Sequence, residues 1–263
     1  MTVLVVSNQK GGVGKTTTAI SLGAAFVERG KRILLVDLDP QANATSGLGV
    51  SKILPHTIYA SLLKETPLTD LIVHTSVTRL DLVPSGAEMA SAEVELVPLM
   101  AREFRLRQAI GGLSHYDFII VDCPPSLGLL TVNALAAGDA ALIPVQCEYY
   151  ALEGLAQLLT TIDAVRDRLN PGLAVAAIVL TMEDRRNRLS LQVVEDVHRH
   201  FPDLIASTRI PRTVRLAEAP SHGLPISRYD PESPAARAYA DLADELALRL
   251  RSREPIALGG AIA

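Results

Sequence analysis

The segment Val3-Leu-Val-Val-Ser-Asn-Gln-Lys10-Gly-Gly-Val-Gly-Lys15-Thr-Thr17 decides the fold of this 263-residue chain. It begins with a short apolar, β-branched run, which is typical of a buried strand, and it ends where a helix-forming stretch begins. Between the two, glycines allow the backbone to approach a ligand closely, and the amino end of the helix attracts negative charge. A glycine-rich loop between a strand and a helix, closed by Lys-Thr, predicts a phosphate-binding loop.

The residues of this loop have distinct predicted roles. We expect Lys15 to reach the β- and γ-phosphates of a nucleotide and the Thr16 hydroxyl to ligate Mg²⁺. Contacts to the nucleotide are predicted for Lys10, Gly11, Gly12, Val13, Gly14, Lys15, Thr16 and Thr17. The ordinary pattern has a glycine five places before Gly14, whereas this chain has Gln9 there and an additional lysine, Lys10, inside the loop. A second ammonium beside the loop can neutralise charge in the transition state of phosphoryl transfer.

Short β-branched runs alternate with longer helical stretches along the rest of the chain. The predicted strands are Val3–Val6, Arg32–Val36, Leu80–Val83, Phe118–Val121, Ala140–Pro144 and Val175–Thr181. The predicted helices are Thr16–Arg29, Thr57–Leu63, Leu99–Leu113, Leu129–Ala136, Ala151–Leu169, Leu191–His200 and Ala235–Arg251. Strands that are apolar at nearly every position predict a doubly wound α/β fold with a mostly parallel sheet and helices on both faces. We assign residues 1–254 to this single domain and residues 255–263 to a flexible tail.

Composition limits the class of protein. The chain is 48% apolar, which excludes a mainly disordered protein, and its two cysteines are too few for a disulfide scaffold. The longest apolar stretch, residues 127–145, is interrupted by Asn133 and Asp139, and no signal peptide is evident, so we expect a cytoplasmic protein with no membrane partner. The net charge is −4, yet residues 185–215 hold seven arginines and only three carboxylates, a local excess that suits binding to phosphates.

Aspartates follow two of the predicted strands. Asp37 and Asp39 come after one strand, in Asp37-Leu-Asp-Pro-Gln41, and Asp122 comes after another, in Asp122-Cys-Pro-Pro125. Ligands of parallel sheets collect outside the carboxyl ends of the strands, so these acids are expected to face the nucleotide. We expect Asp39 to position the attacking water and to lie near Mg²⁺, and Asp122 to hold Mg²⁺ through water. Asp37 is interpreted as a structural or outer acid.

The loop Lys10-Gly-Gly-Val-Gly-Lys15-Thr16 resembles the deviant Walker A motif of the ParA/MinD family of P-loop ATPases. The resemblance implies that Lys10 crosses a dimer interface to touch the phosphates bound by the other subunit. It therefore implies a homodimer that sandwiches two ATP molecules with Mg²⁺ and hydrolyses them, with Lys10, Lys15 and Asp39 as the catalytic residues.

Three longer segments narrow the resemblance to the chromosomal ParA proteins, also called Soj. They are Asp37-Leu-Asp-Pro-Gln-Ala-Asn-Ala-Thr-Ser-Gly47, Pro144-Val-Gln-Cys-Glu-Tyr-Tyr-Ala-Leu-Glu-Gly154 and Ile210-Pro-Arg-Thr-Val-Arg-Leu-Ala-Glu-Ala-Pro-Ser-His-Gly223. This likeness implies chromosome or plasmid partitioning on the nucleoid, a ParB-type centromere-binding partner that stimulates hydrolysis, and non-specific double-stranded DNA. Arg186 and Arg215 match the DNA-contacting arginines of that family, and the neighbouring Arg185 or Arg188 is expected to share the role. Thr181, Pro211 and Arg212 would border the adenine.

Three alternatives remain open from the sequence. A MinD-like ATPase would bind membrane through an amphipathic C-terminal helix, but the stretch 235–251 carries acids as well as arginines on its polar face. A metabolic synthetase with the same loop would need a second substrate pocket, for which no motif is evident. Cys123 and Cys147 could share an iron–sulfur cluster across a dimer, although neither lies in a cluster motif, and burial as small apolar residues is the preferred interpretation.

Overall fold

A computed structural model describes residues 1–148, 151–184 and 186–251. Within those residues, eight strands form one sheet. They are β1 (Thr2–Val6), β2 (Ile33–Asp37), β3 (Val73–His74), β4 (Leu80–Val83), β5 (Phe118–Asp122), β6 (Ala140–Gln146), β7 (Ala174–Glu183) and β8 (Ile205–Pro211). Their spatial order is β3-β4-β2-β5-β1-β6-β7-β8, and every neighbouring pair is parallel except β3 with β4. The predicted α/β fold with a mostly parallel sheet is confirmed. The proposed tail, residues 255–263, and Arg185 lie outside the described residues.

Helices connect the strands. Those of the described residues are α1 (Lys15–Glu28), α2 (Asn43–Gly47), α3 (Ile58–Lys64), α4 (Met89–Leu96), α5 (Arg105–Ile110), α6 (Leu129–Ala137), α7 (Ala151–Arg168), α8 (Arg188–His200), α9 (Val214–Glu218), α10 (Ile226–Tyr229) and α11 (Pro234–Arg251). Single 3₁₀ turns occur at Leu68–Leu71, Arg102–Phe104 and Ala219–His222.

The sheet is buried on both faces because alternate side chains of its strands enter two different apolar cores. Val5 and Leu34 belong to the core under the layer that contains α3 to α8, whereas Leu4 and Leu35 belong to the core under α1 and α11. This double burial explains why the central strands are apolar at successive positions instead of alternating. Because β1, β5 and β2 are parallel neighbours, their carboxyl ends lie side by side, and the predicted site residues follow these ends.

The structure corrects several of the predicted elements. All six predicted strands are present with ends shifted by at most two residues, but β3 and β8 were missed. Strand β8 lies at the edge of the sheet and keeps polar side chains partly exposed, so it lacks the continuous apolar run of a central strand. The predicted helix Leu99–Leu113 was wrong in extent: α5 begins only at Arg105, because Ala101 has a left-handed backbone with φ 52° that interrupts the helix.

Candidate active site

The glycine-rich loop connects β1 to α1 and forms an open cradle. Gly12 and Gly14 have φ of +77° and +88°, conformations that favour glycine. A side chain added at Gly11 or Gly12 would meet no atom within 4 Å, so the surface above the loop is free to receive a ligand. The Gly14 carbonyl accepts a hydrogen bond from the Thr18 amide at 2.9 Å, which joins the end of the loop to the first turn of α1. Thr16 and Thr17 lie in that first turn.

Lys15 is buried at the start of α1, with its ammonium turned back over the loop. Its Nζ donates a hydrogen bond to the Lys10 carbonyl at 2.9 Å. Burial lowers the pKa of this ammonium, and the nearby charges of Asp122 and Asp39 oppose that shift. Within the described residues this buried ammonium donates to one carbonyl. It is well suited to an anionic ligand, because a phosphate would replace the water that burial removed.

The side chain of Lys10 turns away from the loop to which it belongs. Its ammonium lies 3.0 Å from Glu148 Oε2, and the other carboxylate oxygen of Glu148 accepts a hydrogen bond from Gln146 Nε2 at 2.6 Å. About a third of the Lys10 side chain is exposed, so this is a surface ion pair of modest strength. The Lys10 ammonium is therefore paired with Glu148 at the surface, whereas the Lys10 carbonyl takes part in the loop by accepting from Lys15.

Asp122 ends the strand that lies between β1 and β2. The register pairs it with Val6 on one side and with Asp37 on the other, and its carboxylate lies near Lys15 and Thr16, where the phosphate loop meets α1. Both of its oxygens are buried and lack a hydrogen-bond partner among the described residues. Burial, followed by the charge of Asp37, raises the pKa of Asp122 well above its usual range, whereas Thr16 and Lys15 lower it. Unpaired buried carboxylate oxygens beside a threonine hydroxyl are a donor set that fits Mg²⁺.

Asp37 and Asp39 follow the end of β2, and the structure gives them different surroundings. Asp37 is fully buried and accepts hydrogen bonds from the Asp39 amide at 3.1 Å and from the Thr45 amide at 2.9 Å. Burial raises its pKa to about 6, although these hydrogen bonds oppose the shift. Asp39 is 7% exposed, and its Oδ1 accepts a hydrogen bond from the Gln41 amide at 2.9 Å. Asp37 is thus held as a structural acid, and Asp39 lies closer to the surface at the same edge of the sheet.

Thr181, Pro211 and Arg212, the predicted adenine neighbours, lie together on β7 and at the end of β8. The Thr181 hydroxyl donates a hydrogen bond to the Val13 carbonyl at 2.8 Å and so supports the phosphate loop from below. Pro211 pairs with Glu183 in the sheet, and the Arg212 amide donates to the Glu183 carbonyl at 3.0 Å. The support of the loop by Thr181 was not anticipated from the sequence, and contact with adenine stays a prediction for all three.

Two of the candidate DNA-binding arginines, Arg186 and Arg215, are exposed and form local ion pairs. The Arg186 side chain is 91% exposed and makes two hydrogen bonds to the carboxylate of Asp184, at 3.0 and 3.1 Å. Arg215 lies 3.1 Å from Glu218 and 3.4 Å from Asp230. Arg188 is exposed at the start of α8. These contacts fit both a solvated charged face and a surface that exchanges carboxylates for phosphates.

Both cysteines are buried, as predicted for small apolar residues. Burial raises the pKa of each thiol, which disfavours the thiolate that metals bind.

Among residues 1–148, 151–184 and 186–251, no helix combines the length and the apolar composition needed to cross a bilayer.

Comparison with known proteins identifies the family. A family model described as "AAA domain" matches residues 1–175. The chain is 53% identical over 247 residues to the sporulation initiation inhibitor protein Soj of Bacillus subtilis, covering 93% of this chain and 98% of that protein. It is 48% identical over 256 residues to the chromosome partitioning protein ParA of Caulobacter vibrioides, covering 96% of each chain. The chain belongs to the ParA/Soj family of P-loop ATPases.

Solved structures of similar proteins agree with this family and with its chemistry. Cobyrinic acid a,c-diamide synthase from Mycobacterium smegmatis, with a bound ATP analogue and magnesium, has a TM-score of 0.85 at 37% identity, covering 97% of this chain and 98% of that one. The cell division ATPase MinD of Pyrococcus furiosus has a TM-score of 0.79 at 27% identity, covering 94% and 98%. The ParA/Soj chain is accordingly an ATPase with the fold predicted from its sequence.

Proposed function

We propose that this ParA/Soj-family chain is a DNA-segregation ATPase that works as an ATP-bound homodimer. One observation carries the proposal. The Lys10 ammonium is partly exposed and lies 3.0 Å from Glu148, whereas the Lys15 ammonium is buried and donates to a carbonyl of the loop. A lysine of the motif that lies at the surface is available to a second subunit, where its charge would stabilise the transition state of hydrolysis as an arginine finger does.

In the proposed mechanism, each subunit binds one ATP with the backbone of Gly11–Thr17 and with the Lys15 ammonium. Gly12 and Gly14, whose φ is positive, and the first turn of α1 would direct backbone N–H groups at the phosphates. Thr16 and the unpartnered carboxylate of Asp122, with Asp39 nearby, would hold Mg²⁺, which supplies positive charge against the phosphate oxygens. Asp39 orients the attacking water for in-line displacement.

The proposed DNA surface consists of Arg186 and Arg215, with Arg185 or Arg188 sharing the role. Exposed guanidinium groups contact phosphates without reading the base sequence. A dimer presents each arginine twice, and the second contact of a bound dimer is effectively intramolecular, so ATP-dependent dimerisation would strengthen DNA binding. Relatives named as chromosome partitioning proteins support this assignment.

The same relatives support a ParB-type centromere-binding protein as the second partner. This partner would stimulate ATP hydrolysis by the dimer bound to nucleoid DNA. Thr181, Pro211 and Arg212 are proposed to border the adenine. Thr181 bonds the loop, and Pro211 and Arg212 both contact Glu183, two residues further along β7. The single-domain assignment of residues 1–254 is likewise part of the proposal.

Two other functions are weaker candidates. A MinD-like protein would lay an amphipathic helix on a membrane, but α11 buries Leu242 and Leu246 in the core beside α1. A metabolic synthetase is the alternative that the cobyrinic acid a,c-diamide synthase structure would favour, at 37% identity, whereas the relatives named Soj and ParA are 53% and 48% identical.

Analytical sedimentation tests the proposal against both alternatives. The full chain is run with Mg²⁺ and either ATP, ADP or no nucleotide, each with and without double-stranded DNA of unrelated sequence, and in parallel with anionic liposomes. We expect the chain to dimerise with ATP but not with ADP or without nucleotide, and we expect only the ATP-bound dimer to bind DNA. Association with liposomes instead of DNA would favour the MinD-like function, and no association with either would favour a metabolic enzyme.

A further inference from the structure

A buried hydrogen-bond network lies directly behind Asp39. It joins three elements that are distant in sequence: the end of β2, which carries Asp37; the helix α2, which carries Thr45; and the segment after β4, which carries Ser85. Asp37, Thr45 and Ser85 are each 0% exposed. Buried polar groups persist in a folded protein only when their hydrogen bonds are satisfied, so each bond in such a network constrains the others.

The Thr45 hydroxyl is the centre of the network. It donates to Asp37 Oδ2 at 2.8 Å and accepts from the Ser85 amide at 3.0 Å. The same Asp37 oxygen accepts from the Thr45 amide at 2.9 Å. This one hydroxyl thereby joins α2 to the end of β2 and also joins Ser85, two residues after β4, to α2.

Two bonds connect this network to Asp39. Its amide donates to Asp37 Oδ1 at 3.1 Å, and its carbonyl accepts from the Ser85 hydroxyl at 2.7 Å. The backbone of Asp39 is therefore held on both sides of its Cα by buried partners, while its carboxylate faces the edge of the sheet near Asp122. No group of the phosphate loop takes part in these bonds.

We propose that Thr45 and Ser85 are positioning residues for ATP hydrolysis, which act by fixing the backbone of Asp39 relative to the phosphate loop. This inference rests on the proposed role of Asp39 in orienting the attacking water. Loss of the Ser85 hydroxyl removes one anchor of Asp39 directly, and loss of the Thr45 hydroxyl frees both Asp37 and Ser85, the two residues that anchor it. Neither change touches Lys15, Thr16 or the glycines. Turnover should therefore fall while nucleotide binding remains.

The test compares steady-state ATP turnover by the full chain and its variants at saturating Mg²⁺. Thr45→Val keeps the shape of the side chain and removes the hydroxyl, and we expect kcat to fall by about 10- to 100-fold because misplacement of a reacting group by about 1 Å costs on that order. KM and the Kd for ATP should stay unchanged, and Thr45→Ser, which restores the hydroxyl, should recover most of the turnover. Ser85→Ala should show the same split between kcat and KM, and it serves as the second variant if Thr45→Val fails to fold.

Thr75→Val is the matched control. The Thr75 hydroxyl, like that of Ser85, donates to a backbone carbonyl, that of Leu80 at 2.6 Å, and like that of Thr45 it accepts from a backbone amide, that of Val77 at 3.1 Å, but at the opposite end of β4. Its turnover should equal that of the unmodified chain. Asp39→Ala and the double variant Asp39→Ala with Thr45→Val complete the cycle: if Thr45 acts through Asp39, the double variant loses no more activity than Asp39→Ala alone.

Each outcome has one meaning. Normal kcat in folded Thr45→Val and Ser85→Ala, together with inactive Asp39→Ala, would overturn the positioning inference and leave the role of Asp39 intact. Additive losses in the double variant would also overturn it, because Thr45 would then act on another group. Normal turnover in Asp39→Ala would instead refute the proposed role of Asp39, and the inference would fall with it.

Discussion

Two lysines five residues apart have opposite surroundings, and that difference separates their functions. Lys15 is buried and donates to the Lys10 carbonyl at 2.9 Å, whereas the Lys10 ammonium is at the surface beside Glu148. A buried ammonium gains more from a phosphate than an exposed one does, because it starts without hydration. We expect Lys15→Ala to abolish ATP binding, measured by titration with a fluorescent ATP analogue. Micromolar affinity retained in that variant would contradict the assignment.

For Lys10 the expected result is different. Lys10→Ala should bind ATP as a monomer but fail to form the ATP-dependent dimer, because the missing charge would act on the phosphates of the other subunit. The measurement is sedimentation with ATP and Mg²⁺. Lys31→Ala is the control, since Lys31 is also a surface lysine in an ion pair, 3.5 Å from Asp117, at the far end of the sheet. An intact ATP dimer of Lys10→Ala would refute the crossing role.

At the scale of elements, α2 packs against the 3₁₀ turn at Ala219–His222. The backbones that follow these two elements come very close: a side chain added at Gly223 would lie 2.7 Å from Gly49 Cα. Gly223 also has φ of +66°. Gly223→Ala should therefore lower the free energy of unfolding by about 1–3 kcal/mol, because the backbone conformation is strained for alanine and the two backbones must move apart.

Chemical denaturation measures this destabilisation, and Gly112→Ala is its control. Gly112 has no atom within 4 Å of an added side chain, so that variant should unfold at nearly the same denaturant concentration as the unmodified chain. Equal stability of the two variants would mean that the two backbones can move apart without cost.

At the scale of the whole molecule, the acidic net charge of −4 contrasts with the arginines near Arg186 and Arg215. Arg186→Ala and Arg215→Ala should weaken binding of the ATP-bound dimer to every DNA sequence alike. The slope of log affinity against log salt should flatten by about 0.9 for each DNA phosphate that is no longer neutralised, because every neutralised phosphate releases counterions. Since a dimer carries each arginine twice, one substitution should free two phosphates.

The measurement is DNA binding across a salt series in the presence of ATP, with the ATP-dependent dimer confirmed for each variant. Arg107→Ala on α5 is the control, because Arg107 is exposed but outside the basic segment. An unchanged affinity and slope in Arg186→Ala and Arg215→Ala would return both residues to the interpretation of a solvated charged face.

The fold class could be predicted from the sequence alone, and so could the strand, loop and helix around Lys15 and the places of the acids after two strands. These features are local: the strand, loop and helix around Lys15 are contiguous, and a doubly buried strand such as β5 shows as an unbroken apolar run that ends at Asp122. The antiparallel edge strand β3 and the polar edge strand β8 were missed, because an edge strand has neither double burial nor a long apolar run.

Contacts between residues that are distant in sequence become known only from the folded chain. Lys10 and Glu148 are 138 positions apart, and Thr45 and Ser85 are 40 apart, yet each pair is within hydrogen-bond distance. The sheet order places β5 between β1 and β2, and this order leaves the Asp122 oxygens buried beside the loop with no hydrogen-bond partner in the described part of the chain. Such contacts depend on strand order and helix packing, which the hydrophobic pattern of single elements does not specify, so the network behind Asp39 becomes visible only in the folded chain.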